Sequence, residues 1–350
     1  MQLSVLFRLG IGEFIFGPIA TLFGWLTSLL YEFCGNFGLA IIFLTVIVRG
    51  LTVPLNIRSA KAMMKQQALS DKQAEIKRKY PDDKQKQTEE LQKLFQENGA
   101  SSFSGCIVPF LPIFFLFPTY YIVRMPLRYV MGVSNSNISK IGELLAMKGV
   151  TSDNISLINR LHTDGKAMST AINSGLIKLQ QIPDMKFLGL DLGRTPTWNP
   201  SKLSSEASVY LPLLIIPIIV LITTVAQTVL TSKLKPEAKK KKEAKERAKN
   251  NPANNQPDDP AQRTTKVLNI VMPVFMLLTT FALPAAFGFY WIIGNIMGII
   301  QTILTHYMFN KPFEEKKREL EEQKRLAFKK KAAVATANAG SGKGSGKKKK

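Results

Sequence analysis

Cysteine and histidine are almost missing from this 350-residue chain, with two of each. Two cysteines exclude a disulfide scaffold and a cysteine-based zinc site. The bulky, polar Tyr31-Glu32-Phe33 ahead of Cys34 argues against a lipoprotein acylation signal. His162 and His306 stand far apart in sequence, so no metal centre is expected from them. Acidic residues are scarce as well: 25 Asp and Glu against 47 Lys and Arg leave a formal net charge of +22. What charge there is falls in blocks. Residues 209–231 and 267–309 contain no charged residue, whereas 310–350 contain 14 basic and 5 acidic ones. Soluble domains seldom segregate charge this way, and uncharged apolar runs of ~18 residues or more read as membrane spans.

Five runs are expected to cross: residues 37–57, 105–126, 209–231, 267–283 and 286–309. Each is long enough for a hydrocarbon core of ~30 Å. Pro284 breaks the chain between the last two. The predicted fold class is an all-α integral membrane protein with a five-transmembrane-helix core. Orientation follows from the basic segments. Segment 58–104 has 10 basic and 7 acidic residues, and the basic loop 232–266 has 11 and 5. With five crossings these two and the 310–350 tail share one side, predicted to be the cytoplasm. The 127–208 loop, with 9 basic and 6 acidic residues, then faces outward, as does the N-terminus. Within residues 1–36 the uncharged stretch 14–31 is read as an external interfacial helix, with Trp25 and Tyr31 at headgroup level.

Arg49 is the one charge inside the 37–57 run. An arginine near mid-span costs roughly 2.5–3.5 kcal/mol on insertion scales. From there it cannot easily reach either headgroup layer. Thr45, Arg49, Thr52 and Asn56 are spaced by 4, 3 and 4, which puts them on one helical stripe. Thr224, Gln227 and Thr231 make a matching stripe in the third run, and Trp291, Asn295, Gly298 and Thr302 in the fifth. Isolated Thr, Asn and Gln are commonly interhelical glue. Arg49 is different, because the five runs hold no Asp or Glu to pair with it. A lone buried charge is costly, so a hydrophilic groove containing water is the expected environment.

The missing carboxylates exclude more. Proton relays in transporters and pumps use Asp or Glu, and an intramembrane aspartyl protease needs two aspartates. No Gly-rich phosphate loop, zinc signature or serine nucleophile motif is present. The chain is read as a non-enzyme with no cofactor. The alternative is a solute transporter or channel with Arg49 attracting anions, although transporters typically carry internal repeats and none is visible.

Residues 58–104 are predicted to form a cytoplasmic helical hairpin. Tyr80-Pro81-Asp82-Asp83 makes its turn, an Asp caps the second helix, and Gly99 ends it. Segment 235–263 combines a lysine-rich run with NNPANNQPDDP and reads as disordered in its second half. The tail is helix-prone over Phe313–Lys331, and the Gly/Ser part of the AVATANAGSGKGSGKKKK that follows reads as a flexible linker. Its basic runs suit anionic lipids or the phosphates of a ribosome. Few aromatics are interleaved, which gives no sign of base-specific readout or DNA binding.

The stretch FGLAIIFLTVIVRGLTVPL resembles the first core span of the YidC-type membrane protein insertases. The following RSAKAMMKQQALSDKQAEIKRKYPDDKQKQTEELQKLFQENG hairpin, Gly105-Cys106, Phe187-Leu188-Gly189-Leu190-Asp191-Leu192 and Phe289-Tyr290-Trp291-Ile292-Ile293-Gly294-Asn295 are similar to the same family. The resemblance covers roughly 15–129 and 186–310. It implies a monomeric five-span bacterial plasma-membrane protein with a groove open to cytoplasm and lipid. Its substrates would be nascent membrane proteins, with a Sec-type translocon as a further candidate partner. Arg49 matches the groove arginine and Thr45 a polar neighbour; Tyr290 and Trp291 fall at aromatics that contact the passing segment. Gln227 and Asn295 match polar positions more loosely. Two features depart from the family pattern: residues 130–185 look like an insertion, and Leu111 stands where Gln is common.

Overall fold

The computed structural model describes residues 11–99, 104–234 and 260–341. The lysine-rich run from 235, the NNPANNQPDDP stretch up to Asp259 and the last nine residues lie outside the described residues, as does the side chain of Leu111. Helix α1 (Ile11–Cys34) leads into α2 (Phe37–Ala68), followed by α3 (Ser70–Lys79), α4 (Lys84–Glu97) and α5 (Ser104–Arg124). A unit of short elements comes next: α6 (Pro126–Tyr129), α7 (Asn135–Leu144), α8 (Ile155–Thr163), α9 (Gly165–Asn173), strands β1 (Lys186–Phe187) and β2 (Leu190–Asp191), and α10 (Pro200–Ser205). The chain continues through α11 (Ala207–Leu213), α12 (Ile215–Leu234), α13 (Pro260–Thr280) and α14 (Ala285–Thr305), and a π-helical turn at His306–Asn310 joins α14 to α15 (Lys311–Ser341).

Among the described residues, three helical stretches are long and apolar enough to cross a membrane: Phe37–Ala62, Ala207–Leu234 and Ala285–Lys331. Their surfaces fit lipid as solvent. Ile215, Ile218, Ile222, Val225 and Val229 form an exposed apolar stripe on α12, and Ile296, Ile300 and Leu304 form one on α14. Thr45, Thr52, Thr224 and Asn295 are buried between the helices, where polar side chains of membrane proteins commonly pack. This is an all-α membrane protein with one small antiparallel hairpin.

Side-chain pairs give the helix directions. Gly288 of α14 lies against Ile216 of α12, Asn295 against Thr223 and Thr224, Gly298 against Gln227, and Thr302 against Thr231. The residue numbers rise together, so α12 and α14 run parallel. Arg49 with Gly294, Asn56 with Gln301 and Lys61 with Phe309 make α2 parallel to them as well. Helix α13 runs the other way: Asn269, in its first half, reaches Ser232 at the end of α12, and Phe281, just past its end, meets Trp198. The end of α5 lies at the start of α14, where Tyr120 meets Phe287.

Helix α1 crosses α5. Phe16 and Phe23 are seven residues apart, about 10 Å along a helix, yet they meet Phe114, Phe117 and Phe115 within one turn. The 125–206 segment is a folded unit and not merely a polar loop. Ile138, Ile141, Leu157, Ile158, Leu161 and Leu192 are fully buried in it. Arg124 pairs with Asp153 at 2.8 Å, and the Leu192 and Arg194 carbonyls accept from the Ala286 and Ala285 N–H groups that open α14. Those contacts satisfy donors a helix start otherwise leaves unpaired.

Helix α2 continues unbroken past residue 57 to Ala68, so the 37–57 run and the residues that follow it are one helix. Helix α15 runs ten residues past the helix-prone Phe313–Lys331 stretch, to Ser341, since Ala332-Ala333-Val334-Ala335 favours a helix. The hairpin turn agrees in detail: Asp83 Oδ1 accepts from the Lys86 N–H at 2.9 Å, and Gly99 takes φ +59° just past α4. Leu69 and Leu94 are buried against each other there, with Ile76 and Phe95 packed on them.

Candidate functional site

The seam between α2 and α14 carries Arg49. Its half-buried guanidinium comes up close against Gly294: a methyl group at that position would sit 2.6 Å from Nη2 and 3.3 Å from Cζ and Nε. Glycine is what lets the cation approach the helix backbone so closely. Seven residues on, Gln301 bridges the seam. Its Nε2 donates to the Arg49 carbonyl at 3.0 Å, and its Oε1 accepts from Asn56 Nδ2 at 2.9 Å. Among the described residues the guanidinium pairs with no carboxylate and donates no hydrogen bond to protein.

The other predicted residues divide into groups. Thr45 and Thr52 stay on the Arg49 helix: Thr45 Oγ1 donates to the Ile41 carbonyl at 2.7 Å and Thr52 Oγ1 to the Arg49 carbonyl at 2.8 Å. Asn295 belongs to the α12–α14 seam, where its Nδ2 donates to Thr223 Oγ1 at 3.1 Å and Thr224 Oγ1 at 2.8 Å. Gln227 lies in the same seam, against Gly298. Tyr290 and Trp291 are buried one turn before Gly294 and Asn295, with Trp291 6.1 Å from Phe287. Thus the Arg49 carbonyl and Asn56 come together around Gln301, while Asn295, and Gln227 from α12, belong to the neighbouring α12–α14 seam.

Sequence reasoning missed Gly294 and Gln301 as site residues. The spacing Tyr290, Gly294, Gln301 marks one helical face, but two of these positions carry no charge and one carries no side chain. No group of three or more metal-ligating side chains occurs among the described residues. The chemistry on offer is that of an uncompensated cation beside amide groups, suited to attracting negative charge.

The sequence model of the 60Kd inner membrane protein family matches residues 29–312. The chain is similar to proteins named Membrane protein insertase YidC. It is 32% identical to the one from Brucella suis biovar 1 (strain 1330) over 130 residues, 37% of this chain and 21% of that protein. It is 36% identical to the one from Caldanaerobacter subterraneus subsp. tengcongensis over 106 residues, 30% and 52% of the two chains. For Aquifex aeolicus the figures are 40% over 101 residues, 28% and 20%. The aligned part therefore spans between about a fifth and a half of these relatives' length. The 29–312 match takes in α2, α12 and α14 with Arg49, Gly294 and Gln301 between them, and on that match this chain belongs to the 60Kd inner membrane protein family.

Proposed function

We propose that the chain is a bacterial membrane protein insertase and folding chaperone, not an enzyme. In this reading α2, α5, α12, α13 and α14 cross the bilayer, with the N-terminus outside and the hairpin, the 232–266 loop and the tail in the cytoplasm. The shared direction of α2, α12 and α14 supports an odd number of crossings. The observation that carries the proposal is the Arg49 guanidinium, held against Gly294 and paired with no carboxylate among the described residues.

The mechanism is physical. A nascent hydrophobic segment arrives with a short polar or acidic tail. Water around Arg49 hydrates that tail part-way across, and the guanidinium attracts its negative charge. The apolar path is locally shortened, as in a thinned bilayer. Tyr290 and Trp291 contact the passing segment, with Thr45, Thr52, Asn56, Gln227 and Asn295 as polar lining. The segment then leaves sideways into lipid, driven by removal of its apolar surface from water. No nucleotide or cofactor enters this scheme. The tail binds ribosomes or anionic lipid through its basic runs, and a Sec-type translocon is a further partner.

The test is Arg49→Ala in an insertion assay at matched expression. Insertion of clients with acidic tails is expected to fall more than that of clients with neutral tails. Wild-type insertion of both would remove Arg49 from the mechanism. Site-specific crosslinks from positions along the Arg49 stripe to a stalled nascent chain locate the path directly.

A further inference from the structure

The β1–β2 hairpin carries an anomaly that the groove does not use. Leu188 sits at φ +51° and Gly189 at φ +78° between the paired residues Phe187 and Leu190. Two consecutive positive φ values close a two-residue type I′ turn, whose first position favours Asn, Asp or Gly. A leucine there strains the backbone, and its side chain is 79% exposed, so no packing inside the protein rewards it. We infer that Leu188 is a bilayer anchor, inserting at the headgroup–acyl boundary and seating the 125–206 unit on the membrane, with Trp198 as a second anchor.

The hairpin's attachments set its height. The Lys186 carbonyl accepts from Asn36 Nδ2 at 3.0 Å, and the Phe187 ring fills the space above Gly38. Asn36 and Gly38 bracket Phe37, where the apolar stretch of α2 begins. Phe187 also meets Phe289, in the second turn of α14, at 5.3 Å. The tip is one residue further along, level with the ends of two lipid-facing helices. Trp198 is 64% exposed and lies 4.6 Å from Phe281, which closes the end of α13. Both residues therefore sit where apolar helices meet the headgroup layer, the depth at which Trp and large aliphatic side chains anchor proteins. Exposed Leu211 and Ile215 continue the apolar surface into the bilayer. Exposed Lys186, beside the tip, is placed to meet lipid phosphate. This continuity with lipid-facing helices selects lipid as the occupant over a protein partner.

The test places a single cysteine at Leu188→Cys in the full chain with Cys34→Ser and Cys106→Ser. The cysteine is labelled with the fluorophore NBD, and the protein is reconstituted into phosphatidylcholine–phosphatidylglycerol vesicles. Ser156→Cys, exposed on α8, is the comparison site. At Leu188 the label should emit to the blue of its aqueous value and be quenched by lipids doxyl-labelled near the headgroup, with at least threefold less quenching by aqueous iodide than at Ser156. Equal iodide quenching at both sites overturns the inference. So does a label shielded from iodide and doxyl lipid alike, which would mean a protein covers the tip. Trp198→Cys, labelled in the same way, reads the same depth should Leu188→Cys fail to fold by circular dichroism.

Discussion

Replacing Gly294 by alanine isolates the position of the Arg49 charge from its presence. The added methyl would lie 2.6 Å from Nη2. Ordinary contact distances begin at ~3.5 Å, so the guanidinium must retreat by about 1 Å. The group is the far end of a flexible side chain, and an off-rotamer adjustment costs ~0.5–1.5 kcal/mol. Against this, alanine is favoured over glycine inside a helix by ~0.8–1.0 kcal/mol. The two nearly cancel, so thermal unfolding in detergent should move by only a few degrees. The electrostatic effect does not cancel. Moving a unit charge from ~4 to ~5 Å from an incoming carboxylate, at an effective dielectric constant near 20, weakens the attraction by ~0.8 kcal/mol. Insertion of an acidic-tailed client into proteoliposomes should fall about fourfold if that attraction limits the rate. Gly288→Ala is the control. Its methyl would meet the buried Ile216 side chain in the α12–α14 contact, which cannot swing away. Overpacking there should cost ~1–3 kcal/mol and leave acidic and neutral clients equally affected. Wild-type insertion by Gly294→Ala, or an equal loss for neutral clients, would refute the reasoning.

Arg49→Ala should raise the unfolding temperature as it lowers insertion, because it removes a charge worth roughly 2.5–3.5 kcal/mol against burial; a fall would mean the guanidinium is structural. Asn295→Ala loses two interhelical bonds but leaves Thr223 and Thr224 donating to the Ile219 and Val220 carbonyls. Its cost should be ~0.6–1.7 kcal/mol in denaturant titration, and a loss several times larger would show that the bonds do more than join helices. Asp164 accepts from the Ala167 and Lys166 N–H groups at the start of α9, and these bonds hold its pKa below 3.8. Its contribution is therefore present above pH 3.8 and lost as pH falls through the lower folded value. Asp164→Asn keeps a capping side chain and should flatten the acid limb of the stability curve; an unchanged limb would assign it elsewhere. Deleting residues 332–350 should leave the fold intact by circular dichroism and reduce ribosome co-sedimentation in low salt but not in high. Unchanged co-sedimentation would remove the tail from ribosome binding.

Arg49 was legible because a single charge in an apolar run has few physical explanations. The stripe through Asn56 was legible because 4-3-4 spacing is a property of any helix. The surface that Arg49 faces was not, because it is built from a glycine and a neutral amide. Gly294 gives no side-chain signal, and Gln301 reads as ordinary glue until the glycine seven residues before it is counted on the same face. The 125–206 unit shows a different limit. Its amphipathic pieces, Ile141–Met147 and Ile155–Leu161, stand out locally. Their joint core depends on partners such as Leu192, more than thirty residues beyond Leu161, and no periodicity connects them. The capping turn at Asp83 needed only four consecutive residues, and there sequence and structure agree.

The polar residues of the apolar helices separate by whether the protein completes their hydrogen bonding. Thr45, Thr52, Thr223, Thr224 and Asn295 all donate to a carbonyl or hydroxyl within about one turn or across one seam. These bonds use the hydroxyl and amide protons, so what such groups keep for a passing chain is acceptor oxygen. Arg49 has five donors, and among the described residues only its backbone carbonyl is engaged, by Gln301 and Thr52. Those bonds fix the helix beneath the side chain and leave the guanidinium unspent. A rigid backbone under a cation with open donors is the arrangement expected of a charge meant for transient partners. A merely structural arginine would have been given a carboxylate, and the described part of this core provides none.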